Sequence, residues 1–295
     1  MGPGNAYNSF ERKLSLGWKI SVKHTSEYVY ADNVTASYNE ARMTPLSSPT
    51  QTVIESELKI VPKTPVFKYY DYWGTLVNAF EIQETHRTLT IISSSVVETS
   101  SLKPLDNPAT WSELEDPRTW DAFSEYFSFT PYVCEIPDFI EMSQQLRKLE
   151  SPYQAAEKVC DLLREILTYN AGSTSVSGNA KDAWAQRSGV CQDFAHLSLS
   201  LFRYLGIPSR YVSGYIHPVE NAEVGDSTVG ESHAWVDVWL NQWYPLDPTN
   251  GATVGERYIR VAQGRDYSDV KPFAGIYSGG TLDKLKVSVE VKRLA

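Results

Sequence analysis

The sequence has few cysteines and lacks the segments that would carry a chain into or across a membrane. Its 295 residues include 3 cysteines, too few and too far apart for a disulfide framework or a paired-cysteine metal site. No run approaches the roughly 18 consecutive apolar residues of a membrane span. The first residues lack the apolar segment of a secretory signal. We therefore expect a protein of a reducing compartment, the cytoplasm, with no membrane partner.

Positive charge is also scarce. The chain has 27 Lys and Arg against 36 Asp and Glu, which gives a formal charge of −9. An acidic chain binds a phosphate backbone poorly, so we expect no nucleic-acid partner. No sequence pattern of a metal-dependent hydrolase occurs, and we expect neither a metal nor a cofactor. Aromatic residues, in contrast, are plentiful, with 8 Trp, 18 Tyr and 10 Phe. They favour a β-rich structure with a concave, aromatic-lined site.

Length and local patterns divide the chain into two domains and a connection. A chain of 295 residues suggests about two domains, at roughly 100–200 residues each. Residues 15–103 contain short strand-like runs separated by turn residues, which predicts an N-terminal β-sandwich. Residues 104–135 are rich in proline and predict a connecting segment. Residues 136–295 begin with helical spacings and continue with strands, so the predicted class of the whole chain is α+β.

A cysteine at the start of a predicted helix is the first candidate for chemistry. The spacing of Phe194 and Leu197 indicates a buried helix that begins at or near Cys191 and ends at Gly206. Free backbone N–H groups and the helix dipole at that position favour a thiolate. A cysteine of an ordinary core would lie within an apolar stripe, as Cys160 does. Cys191 therefore has the position of a reactive thiol.

A histidine and two aspartates follow on a predicted hairpin. The run that begins at His233 alternates strictly, which places Asp237 on the same face as His233. A two-residue turn would turn Asp247 to the opposite face, whereas a three-residue turn at 240–242 brings it to the His233 face. We therefore predict an odd-length turn or a compensating bulge. An Asp247 carboxylate oxygen should lie about 2.6–3.2 Å from a His233 ring nitrogen, with Asp237 as the alternative third member.

Cysteine, histidine and aspartate together are the side chains of nucleophilic catalysis. The histidine removes the thiol proton, and the acid fixes the tautomer and orientation of the imidazole. The segments GVCQDFAH, ESHAWVDVWL and LDPTNG resemble the three motif blocks of the transglutaminase-like superfamily, in its bacterial branch of papain-like cysteine hydrolases. The start of the chain, including DYWGTLVNAFEI, resembles the β-rich N-terminal domain of that branch.

The resemblance implies a fold in which a helix bearing Cys191 packs on an antiparallel sheet bearing His233 and Asp247. It makes Cys191 the nucleophile, His233 the base and Asp247 the third member of a triad, and it makes 136–295 the catalytic core. It further implies a peptide or protein substrate whose carbonyl carbon is attacked to give a thioester. Bacterial relatives often accompany ATP-grasp and α-E proteins, so amide-forming proteins of these types are candidate partners.

The oxyanion hole and the fate of the thioester stay open in the sequence. The Cys191 backbone N–H can supply one donor. Trp184 and Gln192 are candidates for the second donor, and Trp235, on the His233 face, is a candidate wall of the cleft. We favour hydrolysis of a peptide, isopeptide or amide bond, because acyl transfer to an amine needs a site that excludes water. The remaining alternative is a non-catalytic peptide-binding module, against which the intact triad argues.

Overall fold

The computed structural model describes residues 17–171 and 178–295. Its strands are, in chain order, β1 (Lys19–Ala41), β2 (Gln51–Val61), β3 (Phe67–Tyr70), β4 (Leu76–Ile82), β5 (His86–Thr99), β6 (Thr168–Tyr169), β7 (Ser188–Gly189), β8 (Ser209–Ile216), β9 (Ser227–Gly230), β10 (His233–Trp239), β11 (Trp243–Leu246), β12 (Tyr258–Gly264), β13 (Phe273–Gly279) and β14 (Leu282–Arg293). Its helices are α1 (Trp111–Leu114), α2 (Pro117–Phe127), α3 (Asp138–Leu146), α4 (Pro152–Ile166), α5 (Ala180–Gln186), α6 (Cys191–Leu205) and α7 (Tyr267–Val270). None of these described helices is both long enough and apolar enough to cross a membrane.

The longest strand, β1, organises the N-terminal sheet. It has 23 residues, and buried positions alternate with more exposed ones along its first part, as a strand with one covered face requires. That part pairs antiparallel with β5 and β14, whereas the last part pairs with β4 and β13. With β2 on β5, β3 on β4 and β9 on β14, eight strands form one hydrogen-bonded sheet.

The α+β class is confirmed, and the N-terminal region differs in detail from the sandwich that the sequence predicts. Its strands share one continuous sheet rather than two separate ones. Side chains of β1, β2, β4 and β5 pack into an apolar cluster of their own that includes Tyr30, Val34, Ile60, Phe80, Leu89 and Ile91. A β-sandwich would bury apolar side chains in the same way. The alternating sequence pattern alone therefore does not distinguish a sandwich from one continuous sheet.

The last two strands of the chain lie in the N-terminal sheet, although the sequence assigns all of 136–295 to the core. β14 pairs with β1 in a register that starts with Ile20 opposite Arg293 and ends with Tyr30 opposite Leu282. β13 pairs with the second part of β1. Local sequence shows that a segment is a strand but not which distant strand it pairs with. The boundary at 136 therefore does not separate the two sheets.

A second antiparallel sheet, in the order β11-β10-β8-β12, carries the core of the molecule. The helix α6 packs on one of its faces through a buried cluster that includes Phe194, Leu197, Leu201, Ala234, Val236 and Val238. Burying one such large side chain contributes about 1.5–3 kcal/mol, so this interface fixes the helix on the sheet. The helices α3, α4 and α5 contact α6 as well.

The predicted connecting segment 104–135 contains α1 and α2 and packs against the hairpin of β10 and β11. The ring of Phe123 in α2 lies 4.6 Å from that of Trp239 and 5.6 Å from that of Trp243, measured between centroids. Asp116 caps α2 by accepting a hydrogen bond of 2.8 Å from the Arg118 N–H. The segment thus supports the hairpin from outside.

Candidate active site

Cys191 is the first residue of α6, as the apolar spacing predicts. The Asp193 carboxylate accepts a hydrogen bond of 2.8 Å from the Val190 backbone N–H, which holds the chain at the entrance to the helix. The neighbouring Gly189 leaves room for this contact, because a Cβ there would lie 2.6 Å from Asp193 Oδ2. The thiol is half-buried. It stands at the N-terminal end of the helix, where the helix dipole is positive.

The hairpin between β10 and β11 has the odd-length turn that the parity argument predicts. Trp239 pairs with Trp243, which leaves the three residues 240–242 in the turn. The Leu240 N–H donates to the Gln242 carbonyl across it. Asn241 at the tip has a φ of 66°, in the left-handed region that asparagine tolerates better than most residues. This register brings the end of β11 to the His233 face.

Asp247, directly after β11, contacts His233 as predicted, with 2.8 Å between Oδ2 and Nε2. The carboxylate is held by four further hydrogen bonds. The backbone N–H groups of Thr249 and Asn250 donate to Oδ1, at 2.9 and 3.1 Å. The Asn250 amide and the Tyr258 hydroxyl donate to Oδ2, each at 2.8 Å. The acid is therefore buried, oriented and fully hydrogen-bonded.

Two of these partners, Asn250 and Tyr258, are absent from the residues that sequence reasoning singled out. Asn250 had a local signal, because an aspartate side chain accepts from backbone N–H groups two and three residues on in an Asx turn. The segment Asp-Pro-Thr-Asn that begins at Asp247 is compatible with such a turn. Tyr258 lies on β12, which is a neighbour of β8 rather than of the hairpin. Nothing in its surrounding sequence points to Asp247.

The pKa values of His233 and Asp247 are shifted in opposite directions, and each shift favours the charged form. Burial lowers the pKa of His233, but hydrogen bonds with Asp247 and Cys191 outweigh it and raise the pKa to about 10. Burial raises the pKa of Asp247, but its bonds with His233 and Asn250 lower the pKa to about 2. His233 thus stands between Cys191 and Asp247. Because Nε2 faces Asp247, Nδ1 is the ring nitrogen left for a contact with the sulfur.

A cavity of about 710 Å³ gives access to the thiol and the imidazole. Its lining combines aromatic, acidic and small polar residues and includes Tyr169, Cys191, Gln192, Tyr211, Glu231, His233, Asn250 and Arg257. The cavity is large enough for several residues of a peptide or for a small ligand. Among the residues that the structure describes, no group of three or more His, Cys, Asp or Glu side chains is placed to hold a metal ion.

The three secondary candidates from the sequence fall in three different places. Gln192 lines the cavity beside Cys191, so it keeps its candidacy as an oxyanion donor. Trp184 does not face the cleft, because its indole N–H donates to Asp138 Oδ2 at 2.8 Å. Trp235 is 1% exposed and lies behind His233, with their rings 6.1 Å apart and nearly parallel. The predictions for Trp184 and Trp235 as cleft residues are therefore corrected, since both are buried in packing roles.

Asp237, the alternative third member, is occupied elsewhere. Arg210 Nε lies 2.8 Å from Asp237 Oδ2, and the two terminal nitrogens of Arg260 lie 2.7 and 2.9 Å from its carboxylate oxygens. Burial raises the pKa of Asp237, but the two guanidinium groups outweigh it and lower the pKa. The carboxylate pairs with two half-buried arginines and does not contact His233. Of the two aspartates, only Asp247 contacts His233.

Comparison with known proteins identifies the same family from both parts of the chain. Residues 140–248 match the family model of the transglutaminase-like superfamily, and residues 20–98 match that of the bacterial transglutaminase-like N-terminal region. An uncharacterized protein of Mycobacterium leprae (strain TN) is 45% identical over 278 residues, which cover 94% of this chain and 100% of the relative. An uncharacterized protein of Mycobacterium tuberculosis (strain ATCC 25618 / H37Rv) is 33% identical, with 97% of this chain and 96% of the relative covered.

A solved structure has the same fold. It is described as a candidate cysteine protease from Cytophaga hutchinsonii, and it matches this chain with a TM-score of 0.73 and 19% identity. The match covers 95% of this chain and 91% of the solved one. At this identity the likeness concerns the fold alone. Family models, relatives and fold agree, and the chain belongs to the transglutaminase-like superfamily, with the bacterial N-terminal region of that superfamily.

Proposed function

We propose that this protein is a cysteine-dependent hydrolase that cleaves a peptide, isopeptide or amide bond through a thioester. The observation that carries the proposal is the position of His233, which hydrogen-bonds Asp247 at 2.8 Å and lines the same cavity as Cys191. A thiol, an imidazole and an oriented acid in this order form an activated nucleophile. Cys191 and His233 line a cavity of about 710 Å³, and Asp247 lies buried behind His233.

The first half of the reaction forms the acyl-enzyme. His233 takes the proton of Cys191, and the thiolate attacks the carbonyl carbon of the substrate. The oxyanion of the tetrahedral intermediate accepts a hydrogen bond from the Cys191 backbone N–H, since the first turn of a helix has N–H groups without intrahelical partners. His233 then donates its proton to the leaving nitrogen. The C–N bond breaks, and the free amine departs from a thioester.

The second half returns the enzyme to its starting state. Water attacks the thioester carbon while His233 accepts its proton. The C–S bond then breaks, the carboxylic acid departs, and the Cys191 thiolate takes the proton back from His233. Asp247 keeps the imidazole in one orientation through both halves and stabilises the imidazolium each time it forms. Its own four additional hydrogen bonds hold it in place during these proton transfers.

Alkylation followed by intact-mass spectrometry tests the nucleophile. We expect iodoacetamide to modify Cys191 faster than Cys134 or Cys160 at about pH 6–7, because only Cys191 has a helix start and an imidazolium beside it. Cys160 is an internal control, since burial raises the pKa of its thiol to about 12. Equal labelling of all three cysteines at low reagent would contradict the assignment.

Incubation with peptide libraries then tests the reaction. A hydrolase should give an acyl-enzyme mass and a product with a new carboxylic acid, and Cys191→Ala should give neither. If an added primary amine is instead incorporated into the product in preference to water, the enzyme is an acyl transferase. Peptide binding by the wild-type chain with no Cys191-dependent product would identify a binding module and refute the proposal.

A further inference from the structure

The strand that leads to His233 is the edge strand of the N-terminal sheet. β9 pairs with β14 on one side and is the last strand in the order of the sheet, so no described strand pairs with its other edge. Only residues 231 and 232 separate its end from His233. All seven residues from 228 to 234 line the cavity of Cys191. The free edge of β9 therefore borders the candidate active site.

The direction of the backbone groups along β9 follows from the hydrogen bonds of β14. Arg293 exchanges backbone hydrogen bonds with residues 225–226. Groups on alternate residues of an antiparallel strand point the same way, so Val291 also faces β9, where it pairs with Thr228. The next residue of β9, Val229, then turns its N–H and C=O away from β14. One donor and one acceptor thus stand at the free edge.

Although β9 is short, it has no lysine or proline, and no strand among residues 17–171 and 178–295 covers its free edge. Proteins commonly protect such an edge with lysine, proline or a covering segment, but β9 reads Ser-Thr-Val-Gly and the Val229 side chain is 72% exposed. The cavity also includes Tyr169, which is 57% exposed. Burial, together with the nearby Cys191 and Glu231, raises the pKa of Tyr169. Tyr169 therefore lies within electrostatic range of both the thiol and the end of the edge.

We propose that the free edge of β9 binds the substrate as an added strand and that the substrate is therefore an extended polypeptide. The inference rests on the proposed function and names its substrate class. The Val229 N–H donates to a substrate carbonyl, and the Val229 C=O accepts from a substrate N–H, which is strand addition to a sheet edge. The added strand runs beside residues 228–232 and reaches Cys191 and His233.

Recognition of this kind has a direct consequence for specificity. Backbone hydrogen bonds are the same for almost every residue, so β9 selects an extended conformation rather than a sequence. A helical or tightly folded segment cannot present alternate N–H and C=O groups to Val229. The N-terminal sheet would thus act as part of the binding site, although the candidate triad lies outside it.

A proline at position 229 tests the proposal. Val229→Pro removes the outward N–H, which takes no part in pairing with β14, and proline is accepted on edge strands. We expect a KM for a cleavable library peptide that is raised about tenfold, the factor that corresponds to about 1.4 kcal/mol. Hydrolysis of p-nitrophenyl acetate, which has no peptide backbone to pair with Val229, should be affected less than hydrolysis of the peptide. An equal KM for the peptide would overturn the proposal.

The opposite edge of the same sheet provides a matched control. The Ser100 N–H donates to the Thr50 carbonyl, so even-numbered residues of β5 face β2. Ser56 pairs with the odd-numbered Ser95 and turns its backbone groups to solvent. Ser56→Pro therefore also removes an outward backbone N–H, but at an edge far in sequence from the cavity. We expect this variant to hydrolyse the library peptide and p-nitrophenyl acetate as the wild type does. A KM effect in Ser56→Pro equal to that in Val229→Pro would refute a specific role for β9.

A second measurement keeps the proposal testable if Val229→Pro does not fold. The Cys191→Ala chain is saturated with the library peptide, and amide hydrogen exchange is followed by NMR. The Val229 amide should become protected, whereas the Ser56 amide should not. If bound peptide leaves the exchange rate of the Val229 amide unchanged, the proposal that β9 binds the substrate as an added strand is overturned. The proposed function is not affected by that result. Absence of Cys191-dependent hydrolysis of both peptide and ester by wild type would instead overturn the proposed function.

Discussion

Asp247 illustrates at the scale of single residues how this site is held. It accepts hydrogen bonds from His233, two backbone N–H groups, the Asn250 amide and the Tyr258 hydroxyl. A buried carboxylate with so many donors is stabilised in its charged form. It can therefore balance the charge of an imidazolium without taking its proton, which is the task of the acid in a triad.

Replacing Asp247 by asparagine should slow the chemistry much more than it disturbs the fold. Asp247→Asn removes the charge that orients and stabilises protonated His233. We expect kcat/KM for a peptide and the alkylation rate of Cys191 to fall by about 10–100-fold, the equivalent of the about 1.5–3 kcal/mol of a hydrogen bond to a charged group. Asp237→Asn, at the Arg210 and Arg260 cluster, is the control. It should lower Tm but leave the alkylation rate of the folded protein unchanged, and the reverse result would make Asp237 the acid.

The raised pKa of His233 predicts a pH dependence of stability. Its pKa rises from 6.5 to about 10 on folding, so its stabilisation is fully present below pH 6.5 and is lost as pH rises through about 10. We expect the difference in unfolding free energy between wild type and His233→Gln to be larger at about pH 6 than at about pH 9. Urea denaturation at both pH values measures it. A difference that grows with pH would show that His233 is held neutral.

At the scale of elements, the entrance to α6 depends on a close contact between Gly189 and Asp193. In Gly189→Ala the new Cβ would lie 2.5 Å from the Asp193 Cβ. The Asp193 side chain must then move, which disturbs the hydrogen bond that its carboxylate accepts from the Val190 backbone N–H. We expect a loss of about 1–2 kcal/mol, the usual cost of a helix cap, and slower alkylation of Cys191. Gly255→Ala is the matched control, because its nearest neighbour atom is 3.8 Å away. Thermal unfolding with mass-detected alkylation measures both effects, and equal behaviour of the two variants would exclude the contact as the cause.

Local patterns predicted the elements that carry the candidate triad. The stripe of Phe194 and Leu197 located the start of α6, and strand parity required the turn that brings Asp247 to His233. Both arguments need only neighbours in sequence. Trp184 was placed wrongly because its partner Asp138 is 46 residues away, and no local pattern shows which polar group a buried indole will find. Tyr258 was missed for the same reason.

The whole molecule is tied together by its two chain ends. β14 comes from the last residues of the chain and pairs along β1, near its beginning. The sequence showed that both segments are strands, but pairing across more than 200 residues has no local signature. Residues 140–248 alone match the core family, yet the sheet beside them needs residues from both ends.

Removing β13 and β14 should therefore unfold more than the end of the chain. A chain that stops at residue 271 leaves one side of β1 unpaired and exposes apolar side chains that β14 now covers. We expect loss of cooperative thermal unfolding, aggregation, and equal alkylation of Cys191 and Cys160. Circular dichroism and the mass assay measure these effects. A monomeric truncated chain with selective Cys191 labelling would show that the core is independent of the sheet.

The short step along the chain from β9, which pairs with β14, to His233 has a consequence for descent. β9 is the outermost strand of the N-terminal sheet, and two residues later the chain supplies the imidazole. A lineage that lost the N-terminal region would also lose the support of the segment that positions its histidine. Gene fusion or fission should therefore seldom separate the two regions, and homologous chains should inherit them together, with insertions concentrated away from 227–233.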